Sequence, residues 1–83
     1  MPNIMIYTTA ICPYCDNAKQ LLKHKGASYT EIRVDQNSTW KDEMIQRSGR
    51  RSVPQIFIND QHIGGFDDLA ALEKAGKLDS LLS

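Results

Sequence analysis

Cys12-Pro13-Tyr14-Cys15 sets the only two cysteines of the chain two residues apart, shortly after the apolar run Ile4, Met5, Ile6 and Tyr7. Helical spacing follows through Tyr14, Ala18, Leu21, Leu22 and Lys25, with Gly26 as a fitting stop. A strand that hands a thiol pair to the first turn of a helix is a tight constraint on the fold. It requires a strand-loop-helix unit in which Cys12 ends the loop. Pro13 suits the first helical turn, where its missing N–H costs nothing.

The same spacing suits thiol–disulfide exchange. The thiolate is the nucleophile, and a free cysteine with a pKa of about 8.5 is mostly protonated at neutral pH. Unpaired N–H groups and the positive end of the dipole at a helix start favour a negative sulfur. Cys12 stands there and is expected to attack. Cys15, one turn inside, is expected to stay a thiol longer and to resolve the mixed disulfide. Pro13 fixes the backbone between them, and Tyr14 projects beside them as a substrate contact. The other readings of such a pair are a structural staple and half of a zinc site. A zinc site needs about four ligands, and the remaining candidates, His24 and His62, lie far off in sequence. No metal is therefore expected.

Composition narrows the class. Eighty-three residues bound one small domain, residues 1–83. A hydrophobic content of 41% is too high for a disordered chain. A formal net charge of zero argues against the basic face of a nucleic-acid binder. No apolar run approaches bilayer length, and the first residues lack the basic segment and apolar stretch of a secretory signal. A cytoplasmic, monomeric protein without membrane or nucleic-acid partners is expected. In that compartment a staple would not persist, and the pair reads as redox-active.

The chain alternates strands and helices. Ile4 to Thr8 reads as a buried strand, and Thr30, Ile32 and Val34, alternating with Glu31 and Arg33, as a second. Asp35 to Ser38 is a turn and cap, leading into a helix with Trp40, Met44 and Ile45 on one face, ended by Gly49. Val53 to Ile58 reads as a strand, Asn59-Asp60 as a tight turn and Gln61 to Ile63 as its antiparallel return. Gly64-Gly65 breaks that strand. Asp67 and Asp68 open a helix carrying Leu69, Leu72 and Ala75 and stopped by Gly76. Leu78, Leu81 and Leu82 form a last turn. The order is β-α-β-α-β-β-α. The first two strands should be parallel with a right-handed crossover, and helices should cover both faces of a four-stranded mixed sheet.

Two further features bear on ligand binding. Val53-Pro54 is open between a trans proline at a strand start and a cis bond. If it is cis and near Cys12, the Val53 N–H and C=O face the thiols and can pair with a peptide-like substrate. Gly64-Gly65-Phe66-Asp67-Asp68 is a turn and helix cap. It also offers helix N–H groups to a carboxylate and an acidic side chain to an ammonium, which together describe an amino-acid head group.

These motifs, in this order and over essentially the whole chain, resemble the glutaredoxins, specifically the small bacterial dithiol kind. Cys12-Pro13-Tyr14-Cys15 matches the family's active-site motif. Ser52-Val53-Pro54 is similar to its Thr-Val-Pro segment with a cis proline, and Gln55-Ile56-Phe57-Ile58 fits the usual strand. Ile63-Gly64-Gly65-Phe66-Asp67-Asp68 is similar to its Gly-Gly-Cys-Asp-Asp segment. The resemblance implies a thioredoxin-like fold and glutathione as reductant and ligand, regenerated through the glutathione reductase system. It implies protein disulfides and glutathionylated proteins as substrates, with Cys12 taking up the glutathionyl group and Cys15 resolving. It places glutathione against Tyr14, the Val53-Pro54 backbone, Gly65, Phe66, Asp67 and Asp68, with Lys41 toward the glycyl carboxylate. Two alternatives stay open: a redoxin reduced by thioredoxin reductase, and a glutathione-assisted [2Fe–2S] cluster carrier. The Asp67-Asp68 pair disfavours the first, and the resolving Cys15 with its Pro13-Tyr14 spacer the second.

Two positions depart from the family pattern. Phe66 stands where a third cysteine is frequent, which removes an oxidation-prone thiol. Thr9 stands where many members carry a lysine that would contact both the Cys12 thiolate and the glycyl carboxylate. A cation at that position favours the charged sulfur, so Thr9→Lys is expected to lower the Cys12 pKa. The pH dependence of thiol alkylation measures this, and an unshifted profile in the variant would refute it.

Overall fold

The computed structural model describes residues 2–83. The elements run β1 (Ile4–Thr8), α1 (Pro13–His24), β2 (Thr30–Arg33), α2 (Ser38–Ser48), β3 (Gln55–Ile58), β4 (Gln61–Gly64), α3 (Phe66–Lys74) and α4 (Leu78–Leu82). The sheet is four-stranded in the order β2-β1-β3-β4. β1 pairs parallel with β2 and antiparallel with β3, which forms a hairpin with β4. Asn59 and Asp60 turn that hairpin with φ of 51° and 66°, the positive values that a two-residue turn between twisted strands requires.

Strand alternation sorts the core into two layers, one on each face of the sheet. Ile4 and Ile6 of β1 and Ile56 and Ile58 of β3 pack with Ala18 and Leu22 of α1, Leu69 of α3 and Leu78 of α4. Tyr7 and Phe57, on the opposite face, pack with Val34 and with Met44 of α2. β1 and β3 thus feed both layers because successive side chains point to opposite faces. The Tyr7 hydroxyl donates to Glu43 Oε1 at 3.0 Å and accepts from Arg47 Nη1 at 2.9 Å. The Arg47 guanidinium also lies 4.1 Å from the Phe57 ring centroid, tying α2 to the sheet.

Two expectations shift. The strand expected from Val53 begins at Gln55, because Pro54 has no N–H to give to a ladder. Trp40 shares a helix with Met44 but is 40% exposed. It borders a shallow hollow with Ile32 and Arg33 beside the edge strand, while Met44, one turn on, takes the buried position. The last turn is a short helix, α4, anchored by buried Leu78.

The sheet also holds the loop that carries Cys12. The Val34 N–H donates to the Thr8 carbonyl at 3.0 Å, extending the β1–β2 ladder past its last strand residues. This brings Asp35 under the loop, where Oδ2 accepts the Ala10 N–H at 3.1 Å. Arg33 grips both Asp35 oxygens, at 2.8 and 2.7 Å. The Arg33 guanidinium, aided by the Ala10 N–H, lowers the Asp35 pKa to about 2, against about 3.9 for an unperturbed aspartate. The folded state thus favours the charged carboxylate. That stabilisation is complete above about pH 5 and is lost as pH falls toward about 2. The urea midpoint of Asp35→Asn should therefore lie below that of the wild type at neutral pH, and the gap should close on acidification. A gap independent of pH would contradict the assignment.

Candidate functional site

Helix α1 starts where its sequence places the proline. Pro13 is its first residue, and Cys12 is the N-cap, with extended backbone at φ −152° and ψ 96°. The cap is made by sulfur: the Cys15 N–H donates to Cys12 Sγ at 3.1 Å. The Asp16 N–H donates to the Cys12 carbonyl at 3.0 Å, the first helical bond. Cys12 and Cys15 are joined as a disulfide with their Cα atoms 5.1 Å apart. Cys12 is half-buried, whereas Cys15 is wholly buried at 0% exposure. A disulfide arriving from solvent can therefore meet only one of the two sulfurs.

Val53 lies across from them. Its carbonyl oxygen is 3.9 Å from Cys12 Sγ, a contact without a proton in this oxidised state. The Val53–Pro54 bond is cis, as one of the two sequence readings had it. Behind this segment sits a polar relay centred on buried Gln55. Gln55 Nε2 donates to the Ser52 carbonyl at 2.9 Å, which turns Gln55 Oε1 toward His62 Nε2 at 2.8 Å. Since the Gln55 amide oxygen can only accept, His62 Nε2 carries the proton. Burial, reinforced by the positive charge of Arg50, lowers the His62 pKa and favours the neutral ring.

A cavity of about 250 Å³ opens beside Val53. Tyr14 from α1, Arg50, Ser52, Val53 and Pro54 from the loop before β3, and Gly65, Phe66, Asp67 and Asp68 from the start of α3 line it. The Phe66 and Tyr14 rings stack with centroids 6.4 Å apart and planes inclined by 28°. Gly65 is the N-cap of α3 and leaves the first N–H groups of that helix without intrahelical partners. Asp68 folds back over the cap, Oδ2 accepting the Gly65 N–H at 2.9 Å and Arg50 Nη1 at 3.1 Å. The Gly65 N–H first, and Arg50 second, hold the Asp68 carboxyl below the usual aspartate range. Gly64 has φ +121°, and a side chain there would run into that of Asp68. Only glycine satisfies both conditions.

The structure thus brings Tyr14, Val53, Pro54, Gly65, Phe66, Asp67 and Asp68 to one cavity beside Cys12. Thr9, half-buried after β1, and Lys41, exposed on α2, do not line it. The residues alone do not single out Arg50. Arg51 is exposed and off the cavity, whereas Arg50 reaches Asp68. Two adjacent arginines look alike in sequence, and only the path of the chain toward Pro54 separates them.

A glutaredoxin family model matches residues 4–63. Glutaredoxin 3 of Escherichia coli strain K12 is 57% identical over 82 residues, which cover 99% of each chain. A glutaredoxin of Pseudomonas aeruginosa is 54% identical over 83 residues, covering 100% of this chain and 99% of the relative. Among solved structures, a buckwheat glutaredoxin–glutathione complex superposes with a TM-score of 0.90 at 32% identity, covering 98% of this chain and 76% of that one. The solution structure of a Brucella melitensis glutaredoxin gives 0.86 at 54% identity, covering 96% and 87%. With its thioredoxin-like sheet and its Cys12–Cys15 redox pair, the chain belongs to the glutaredoxin family of thiol–disulfide oxidoreductases.

Proposed function

We propose that the chain, working as a single domain over residues 1–83 and as a monomer in the cytoplasm, uses glutathione to reduce protein disulfides and protein–glutathione mixed disulfides. The observation that carries this reading is the cavity beside Cys12, which offers a different partner to each part of a glutathione molecule. The Val53 N–H and C=O have no backbone partner among the described residues and suit the cysteinyl peptide group. The free N–H groups at the start of α3 suit the γ-glutamyl carboxylate. Asp67 and Asp68 suit its ammonium, and Tyr14, Pro54, Gly65 and Phe66 complete the walls. Lys41 is carried by family likeness alone, and Thr9 by standing at the position of the family's frequent lysine.

With a mixed disulfide, the Cys12 thiolate attacks the glutathionyl sulfur. A Cys12–glutathione bond forms, the substrate S–S bond breaks, and the protein thiolate leaves and takes up a proton. A second glutathione thiolate then attacks the bound glutathionyl sulfur. Glutathione disulfide departs, and glutathione reductase returns it to thiol at the expense of NADPH. With a protein disulfide, Cys12 attacks first and Cys15 then attacks Cys12 Sγ, leaving the intramolecular disulfide. Two glutathiones reduce that bond. The burial of Cys15 suits the second role and bars it from the first.

Reduction of a glutathionylated peptide, coupled through glutathione, glutathione reductase and NADPH, tests the reading. Wild type and Cys15→Ser should turn over, and Cys12→Ser should fall to the uncatalysed rate. No turnover by any of them, with thioredoxin reductase and NADPH reducing the Cys12–Cys15 bond instead, would overturn the glutathione assignment.

A further inference from the structure

Ile11 is 92% exposed, more than any other large hydrophobic residue described. A single exposed apolar side chain is ordinary on a protein surface. This one precedes the reactive cysteine directly. Pro13 and Tyr14, which follow Cys12, are exposed as well, so apolar surface lies on both sides of the sulfur in sequence. Nor is Ile11 carried on a loose loop, because the preceding Ala10 N–H is held by Asp35 at 3.1 Å. No packing layer of the core includes Ile11.

Ile11 and Tyr14 differ in where they face. Tyr14 leans on Phe66, and both line the cavity, whereas Ile11 does not. A glutathionyl mixed disulfide also has two unlike halves. The glutathione half brings an ammonium and two carboxylates, and the cavity holds Arg50, Asp68 and the α3 N-terminus to meet such charges. The polypeptide half must lie outside the cavity while its sulfur is still bonded to the one under attack. Of the two residues that flank Cys12 in the chain, neither Ile11 nor Pro13 lines the cavity, and Ile11 carries the larger exposed apolar side chain.

We propose that Ile11 receives the polypeptide half of the substrate and selects protein cysteines that have a large apolar neighbour. The proposal rests on the glutathione reading of the cavity. In the step concerned, Cys12 attacks the glutathionyl sulfur, the S–S bond to the polypeptide breaks, and the polypeptide thiolate leaves across Ile11 and is protonated. Contact with Ile11 places the leaving sulfur in line and adds binding energy in proportion to the apolar area covered. Covering about half of an isoleucine side chain corresponds to about tenfold in kcat/KM.

The experiment compares two glutathionylated peptides that differ only in Leu or Asp beside the cysteine, with the cysteine–glutathione mixed disulfide as a third substrate. Each is reduced by wild type, Ile11→Ser and Ile11→Leu in the glutathione, glutathione reductase and NADPH system. Wild type should prefer the Leu peptide by about tenfold, the scale of that partial burial. Ile11→Ser should bring the ratio close to one, and Ile11→Leu should restore it. Equal rates for the two peptides with wild type, or a preference unchanged in Ile11→Ser, would overturn the proposal while turnover of the cysteine–glutathione disulfide left the glutathione reading standing. Failure of wild type on all three substrates would overturn both.

Discussion

The hydrogen bond from the Cys15 N–H to Cys12 Sγ, 3.1 Å long, is the interaction on which the working parts of this protein depend. It makes a sulfur the cap of a helix, a place otherwise taken by serine, threonine, aspartate or asparagine oxygens. Once Cys12 is the cap, Cys15 must fall on the first turn, and the inward face of α1 buries it together with Ala18 and Leu22. The exposed and buried roles of the two sulfurs then follow from helix geometry alone. The cap also puts Cys12 Sγ where unpaired N–H groups point, so negative charge on this sulfur is stabilised without a neighbouring lysine. That matters in a chain with threonine at position 9.

Two helix starts converge on one small region. α1 offers its N-terminus to a sulfur, and α3 offers its own to the far end of the cavity. Both helices pack on the same face of the sheet, through Ala18, Leu22 and Leu69. Val53 lies between them, and its position is backed by the relay from Ser52 through Gln55 to His62. Asp68 has a split duty, closing the cap of α3 through the Gly65 N–H while pairing with Arg50 across the cavity. Its pairing with Arg50 is half-exposed and contributes little to stability by itself. Its value lies in fixing where a charge stands at the cavity wall.

Most of the architecture could be read from the residues, because period-two and period-3.6 patterns report directly on which face is buried. Ile4, Ile6, Ile56 and Ile58 were legible as strand core, and Asn59-Asp60 as the hairpin turn. The thiol pair was legible for a similar reason, since the N-cap position is a local property. The exposure of Trp40 was not legible, because helical spacing says which residues share a face, and not how far the edge strand beneath them extends. The start of β3 was placed two residues early because a proline's missing donor was weighed less than the β-branched Val53 before it. Contacts between distant segments were illegible. The grip of Asp35 on the Ala10 N–H, and the reach of Arg50 to Asp68, join residues 25 and 18 positions apart and leave no pattern in the chain.

The central claim is that helix capping makes Cys12, and not Cys15, the reactive sulfur. The direct measurement is to reduce the protein, treat it with substoichiometric iodoacetamide at mildly acidic pH, and locate the label by mass spectrometry of peptides cut between the two cysteines. The expected result is label on Cys12, with Cys15 modified only after unfolding. Label on Cys15 in the folded protein, or equal label on both, would contradict the account.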